Sequence, residues 1–97
     1  MELEGRLKAA EVLHKRLEEI RKLLGLNKTD FGKKYMKWYS VFSINPKMMP
    51  NLWVVLNIAN DLGISLDEVI GTMPITPLNN KRLQERGLEN VRKKLGL

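Results

Sequence analysis

Catalysis and metal binding need reactive side chains in pairs or clusters, and this chain of 97 residues offers few. It contains no Cys, so a cysteine nucleophile, a thiolate metal centre and a disulfide framework all fall away. His14 is the single histidine, which excludes multi-histidine metal sites and leaves imidazole acid–base schemes resting on one residue. It flanks an apolar stripe and reads as partly buried structure. No paired carboxylates, phosphate loop or nucleophile–base arrangement stands out. The expectation is therefore a non-enzyme with no catalytic residue, no metal and no cofactor, and no small-molecule substrate is evident.

The remaining chemistry is cationic. Between residues 26 and 50 lie five lysines (Lys28, Lys33, Lys34, Lys37 and Lys47) against one acid, Asp30. Residues 1–25 are nearly balanced, residues 51–75 hold three acids and no Lys or Arg, and residues 76–97 hold six cations and two glutamates. A basic block beside an acidic one suits a protein with one nucleic-acid-facing side. Taken alone, the net charge of +6 fits ordinary solvated faces better. Whether the lysines act together depends on the elements that carry them.

Those elements read as helices. Leu7, Ala10, Leu13, Leu17, Ile20 and Leu24 recur at three and four residues, which predicts a helix over 6–24 stopped at Gly25. Glu11–Lys15 and Glu18–Lys22 are expected i,i+4 pairs on its wet face. Asn27 is placed to cap a short second helix carrying Phe31, Gly32 and Tyr35. Residues 40–44 suit one or two turns of helix with Val41 and Ile44 inward, or a short extended piece, and Pro46 and Pro50 punctuate the chain. A further helix runs from an Asn51 cap to Leu62, with Leu52, Val55, Leu56, Ala59 and Leu62 inward and Trp53, Val54 and Ile58 widening the apolar face. Ser65-Leu-Asp-Glu68 is a capping box opening a helix that ends near Gly71. Residues 72–79, with two prolines, are expected to be extended. Asn80 then caps a last helix, broken or kinked at Gly87, with Leu88, Val91 and Leu95 as a narrow apolar stripe. The class is all-α. No apolar run is long enough to span a membrane. Met1-Glu-Leu-Glu-Gly5 lacks the apolar core of a signal peptide, so the expected location is cytoplasmic and nucleoid-associated.

The order of these elements over His14–Ile70 resembles the lambda-repressor/Cro-type helix-turn-helix domain, the XRE-like family. Lys15-Arg-Leu-Glu-Glu-Ile-Arg-Lys-Leu-Leu-Gly-Leu26 is similar to its first helix and the loop that follows. Pro50-Asn-Leu52, Leu56, Ile58-Ala59 and Leu62-Gly-Ile-Ser-Leu-Asp-Glu-Val-Ile70 resemble its fourth and fifth helices. The middle diverges: Tyr35-Met36 stands where the family has a Leu-Gly turn, Leu26 to Pro50 is about two residues short by our alignment of the motifs, and Trp38, Tyr39 and Phe42 occupy a normally polar recognition segment.

The resemblance implies a five-helix repressor-like domain over 1–71, with an extended first helix, followed by a Pro-containing linker and C-terminal helical arm over 72–97. It implies a repressor-like transcriptional regulator that binds double-stranded DNA. In such a motif one helix lies across the phosphates and the next enters the major groove. The phosphate contacts expected are Asn27, Lys28, Thr29, Lys33, Lys34, Lys47 and Asn51. The base or groove contacts expected are Lys37, Trp38, Tyr39, Ser40, Ser43 and Asn45. A homodimer is the expected state, with Trp53, Val54, Leu88, Val91 and Leu95 as self-association residues. The competing reading, motivated by the aromatic recognition segment, is a protein–protein interaction module on the same fold, an antirepressor or assembly domain, with little DNA affinity.

Overall fold

A computed structural model describes residues 2–35 and 52–97, and within them five helices and no strand. We number them α1 (Glu2–Leu23), α2 (Lys28–Tyr35), α3 (Leu52–Leu62), α4 (Leu66–Ile70) and α5 (Pro77–Leu95). The all-α expectation holds for these residues. The weak helix expected over 40–44 lies outside them.

The stripe on α1 does what its spacing demands. Ala10, Leu13, Leu17, Ile20 and Leu24 are buried and meet Phe31, Tyr35, Val55, Ile58, Leu62, Ile64, Val69 and Leu83 in one core. The helix starts earlier than expected, at Glu2. It stops as expected, because Gly25 takes a φ of +65° that a side chain would oppose. The Leu26 N–H then donates to the Arg21 carbonyl and the Gly25 N–H to that of Lys22, satisfying two terminal acceptors. The expected Glu18–Lys22 pairing is replaced: Glu18 takes Arg21 at 2.7 Å, and the Arg21 guanidinium also donates to the Leu26 carbonyl. That guanidinium pulls the Glu18 carboxyl below its ordinary range and is itself raised by it.

The face of α3 differs from expectation. Val55, Ile58 and Leu62 are buried, with Val54 and Ala59 partly so, while Leu52 and Leu56 face solvent. Nearly every residue from Leu52 to Leu56 is apolar, so periodicity could not choose among them. The surfaces offered by α2 and α4 choose instead, and they turn Leu52 and Leu56 outward.

Two corrections concern α5. Its N-cap is Thr76, whose hydroxyl accepts the Asn79 N–H, and Pro77 occupies the first turn. Proline suits that position, since its missing N–H would find no helical partner there. Residues 77–79, expected to be extended, are therefore helical, and Asn80 is not the cap. Nor does Gly87 break the helix, which runs through to Leu95. Gly87 is buried where α5 crosses the end of α1, and a Cβ built on it would lie 2.0 Å from the Leu23 carbonyl oxygen. Leu83, one turn earlier, lies in the same core as the stripe of α1.

Glu68 joins three segments. The capping box is present: Glu68 N–H donates to the Ser65 hydroxyl, and the Ser65 N–H donates back to the Glu68 carboxylate. The same carboxylate accepts the Thr76 N–H and the Asn79 side-chain amide, so it closes the start of α4 and the start of α5 together. From α1, Arg16 donates to the main-chain carbonyls of Glu68 and Met73.

Candidate nucleic-acid interface

The basic block opens on a helix N-terminus. The Asn27 side chain accepts the Asp30 N–H at 2.7 Å, so Asn27 is the cap it was expected to be, and Lys28 and Thr29 follow it, exposed. Phe31, Gly32 and Tyr35 form the buried face of α2. With about 100° per residue, the outer residues fall on two flanks. Thr29 and Lys33 share one, and Asp30 and Lys34 share the other. The lysines expected to act as one set are thus divided around the helix. Lys34 lies with its ammonium 5.6 Å from the Tyr35 ring.

The second flank faces α5. Four contacts fix how the last turns of that helix run beside the α1–α2 junction. Gly87 sits against Leu23, the Asn90 amide donates to the Leu24 carbonyl at 2.9 Å, Val91 lies against Gly25, and the Lys94 ammonium is 3.9 Å from the Asp30 carboxylate. The two stretches therefore run side by side in the same chain direction from Gly87 to Lys94 and from Leu23 to Asp30. The last turn of α5 carries Arg92, Lys93 and Lys94 and ends beside the first turn of α2. The single acid of residues 26–50 is thereby paired with a lysine from the C-terminal block. Two basic stretches more than 60 residues apart in sequence meet on one side of the protein.

Below this junction lies a polar link that sequence reasoning missed. The Tyr35 hydroxyl donates to Asp61 at 2.6 Å, and the Arg86 guanidinium donates to the same carboxylate oxygen at 2.9 Å and to the Asp61 carbonyl at 3.1 Å. It ties α2, α3 and α5 together. Burial and the Asp61 hydrogen bond push the Tyr35 hydroxyl well above the ordinary phenol range. Burial alone would raise the Asp61 carboxyl, but the Tyr35 hydrogen bond and the nearby Arg86 and Lys34 charges bring it below its usual value. The signal available in the sequence was the spacing of Arg82, Arg86 and Asn90, one turn apart on a helix that otherwise reads as solvated.

Of the other expected contacts, Lys37, Trp38, Tyr39, Ser40, Ser43, Asn45, Lys47 and Asn51 lie outside the described residues. The expected self-association residues lie on two helices. Trp53 is 75% exposed on α3 beside Leu52, whereas Val54 turns partly into the core. Leu88, Val91 and Leu95 are exposed on α5. Among the described residues no group of three or more acidic or histidine side chains is placed to hold a metal ion, and no helix is long and apolar enough to cross a membrane. Comparison with protein-family models, with curated proteins and with solved structures gives no match for this chain.

Proposed function

We propose that the protein is a repressor-like transcriptional regulator that binds double-stranded DNA through a helix-turn-helix motif, with α2 as the helix lying across the phosphate backbone. The observation that carries this reading is the meeting of the two basic stretches at the start of α2. A helix N-terminus offers free N–H groups and a partial positive charge to phosphate. Here that end bears Lys28, and the Lys93–Lys94 turn of α5 lies beside it, with the Lys94 ammonium 3.9 Å from the Asp30 carboxylate. Phosphate contacts give affinity without sequence information. Base reading is assigned to Lys37, Trp38, Tyr39, Ser40, Ser43 and Asn45, on the family resemblance.

The test is a salt titration of binding to duplex DNA. Each neutralised phosphate contributes about 0.9 to the slope of log affinity against log salt. Lys28→Glu together with Lys93→Glu should weaken binding at low salt at least about tenfold and lower the slope by about 2. Unchanged affinity in a variant with an unaltered melting temperature would refute the assignment of this surface.

The exposed Leu52–Trp53 face of α3 favours a second reading, a protein–protein interaction module with little DNA affinity, because an apolar patch of this kind suits a protein partner. It predicts no measurable duplex binding even at low salt.

A further inference from the structure

The inner face of α5 is fully engaged. Leu83, Gly87, Asn90, Val91 and Lys94 lean on α1 and α2, Arg82 and Arg86 reach the end of α3, and both helix ends are capped. These contacts leave the opposite face of the helix open to solvent. On that face Leu88 and Leu95 are 65% and 68% exposed, seven residues and hence two turns apart. The half-exposed Val91 lies at their edge. A shallow groove there is lined by Glu85, Leu88, Glu89, Arg92, Lys93 and Leu97.

The order of charge along this groove selects its occupant. Glu85 and Glu89 lie around and before the first leucine, and Arg92 and Lys93 follow it. Laid against itself in parallel, the helix would set acids against acids and bases against bases. Laid against itself in the opposite direction about a point between Leu88 and Glu89, it sets Glu85 of each copy opposite Arg92 of the other, with Leu88 between them. A surface that is complementary to itself under a two-fold axis is what an isologous dimer requires. The Leu52–Trp53 face of α3 has no such order, since Asp61 is the only charged residue on that helix.

We propose that the outer face of α5 is a homodimer interface in which two copies of this helix pack antiparallel about a two-fold axis near Leu88. Glu85 of each copy meets Arg92 of the other, and Leu88 is covered near the axis. Lys93 borders both this face and the α2 side of α5, so the interface is tested without DNA and through Glu85, Leu88 and Arg92. One helix of 19 residues offers a contact at the small end of specific interfaces. The expected dimer dissociates in the micromolar range.

Sedimentation velocity on the full chain, from low micromolar to near-millimolar concentration and without DNA, reads the association. The wild type should show a monomer–dimer equilibrium. Leu88→Glu should remove the dimer while leaving the helical signal and the melting temperature at low concentration unchanged. The two-fold axis doubles every contact, so Glu85→Arg or Arg92→Glu alone should raise the dissociation constant about tenfold or more. The double exchange Glu85→Arg with Arg92→Glu should restore it to within about threefold of the wild type. A wild type that is monomeric throughout overturns the proposal, as does a dimer indifferent to Leu88→Glu. A dimer weakened by neither single charge reversal overturns the antiparallel arrangement, because parallel helices would exchange one like-charge pair for another.

Discussion

Replacing Glu68 with Gln isolates the largest single polar commitment of the fold. The Glu68 side chain is 4% exposed, and its two oxygens accept from the Ser65 N–H, the Thr76 N–H and the Asn79 amide, all at 2.9–3.0 Å. Burial alone would raise this carboxyl, but the donors from Asn79, Ser65 and Thr76 outweigh it and hold it at about 2, against an ordinary 4.5. A depression of that size corresponds to about 3 kcal/mol of stability. Because the folded value is the lower one, this stability is complete above pH ~4.5 and is lost as pH falls toward about 2. In Glu68→Gln one acceptor oxygen remains, and an amide NH2 faces a backbone donor. Asn79 cannot compensate freely, since its own oxygen accepts from Arg82 at 2.9 Å. At least one buried N–H loses its partner, which costs about 1–3 kcal/mol, and the charge-assisted strength of the others is lost as well.

At neutral pH the variant should therefore be less stable by about 2–4 kcal/mol, a drop in melting temperature on the order of 10–25 °C for a chain of this size. Urea titrations of both proteins, followed by helical circular dichroism at a series of pH values, separate this term from every other carboxylate. The rest, including Glu18 and Asp61, titrate in both proteins and cancel in the difference. About three quarters of the wild-type advantage should vanish by pH ~2.5, where its own carboxyl is largely neutral in the unfolded chain and is becoming so in the folded one. A stability difference that stays constant between pH 5 and pH 2.5, or that is below about 0.5 kcal/mol at pH 7, would refute the assignment of Glu68 as an ionised hub.

Gly87→Ala places a methyl group 2.0 Å from the Leu23 carbonyl oxygen, a backbone atom that cannot move without dislodging α1. A loss of about 3 kcal/mol or more is expected by thermal melting, against the gain of up to about 1 kcal/mol that alanine gives in an unobstructed helix. A melting temperature equal to or above that of the wild type would refute the close crossing. Tyr35→Phe removes the hydroxyl that donates to Asp61 and should cost about 1 kcal/mol. The Tyr35 hydroxyl is raised in the folded protein, so its contribution is present below pH ~10 and is lost as pH rises beyond. Absorbance titration should show one phenol fewer ionising above that pH in the variant, and a variant whose late-ionising phenol remains would contradict the Tyr35–Asp61 bond.

The parts of the fold that were legible in the sequence are those settled locally. The stripe of α1, the Asn27 cap, the stop at Gly25 and the Ser65–Glu68 capping box each depend on residues within one or two turns. The rest needed a partner element. Two prolines in residues 72–79 argue for extended chain, yet Pro77 tolerates a helix start that Thr76 caps and Glu68 anchors from eight residues away. Gly87 looked like a break because a glycine's cost is local, whereas its compensation is a helix end brought from residue 23. The lysines of α2 were visible as a block. Their division into two flanks follows from the turn of α2 itself, but the arrival of Lys94 beside Asp30 follows only from the placement of α5.

That placement also changes what the charge count means. Arg82, Arg86 and Asn90, each four residues from the next, reach backbone carbonyls at the ends of α3 and α1, at 3.4 Å to Leu62, 3.1 Å to Asp61 and 2.9 Å to Leu24. A helix end carries unsatisfied carbonyls and a partial negative charge, so a guanidinium there is held by structure. Two of the six cations in residues 76–97 are thus occupied within the fold. Lys94 answers Asp30, and Arg92 sits on the opposite, leucine-bearing side of α5. The C-terminal segment is therefore a clamp first. Its remaining positive charge lies mainly on its last turn, which the clamp sets against the start of α2. Association with an anionic partner through this surface thus depends on the glycine and asparagine contacts that hold α5 to α1, as well as on the lysines themselves.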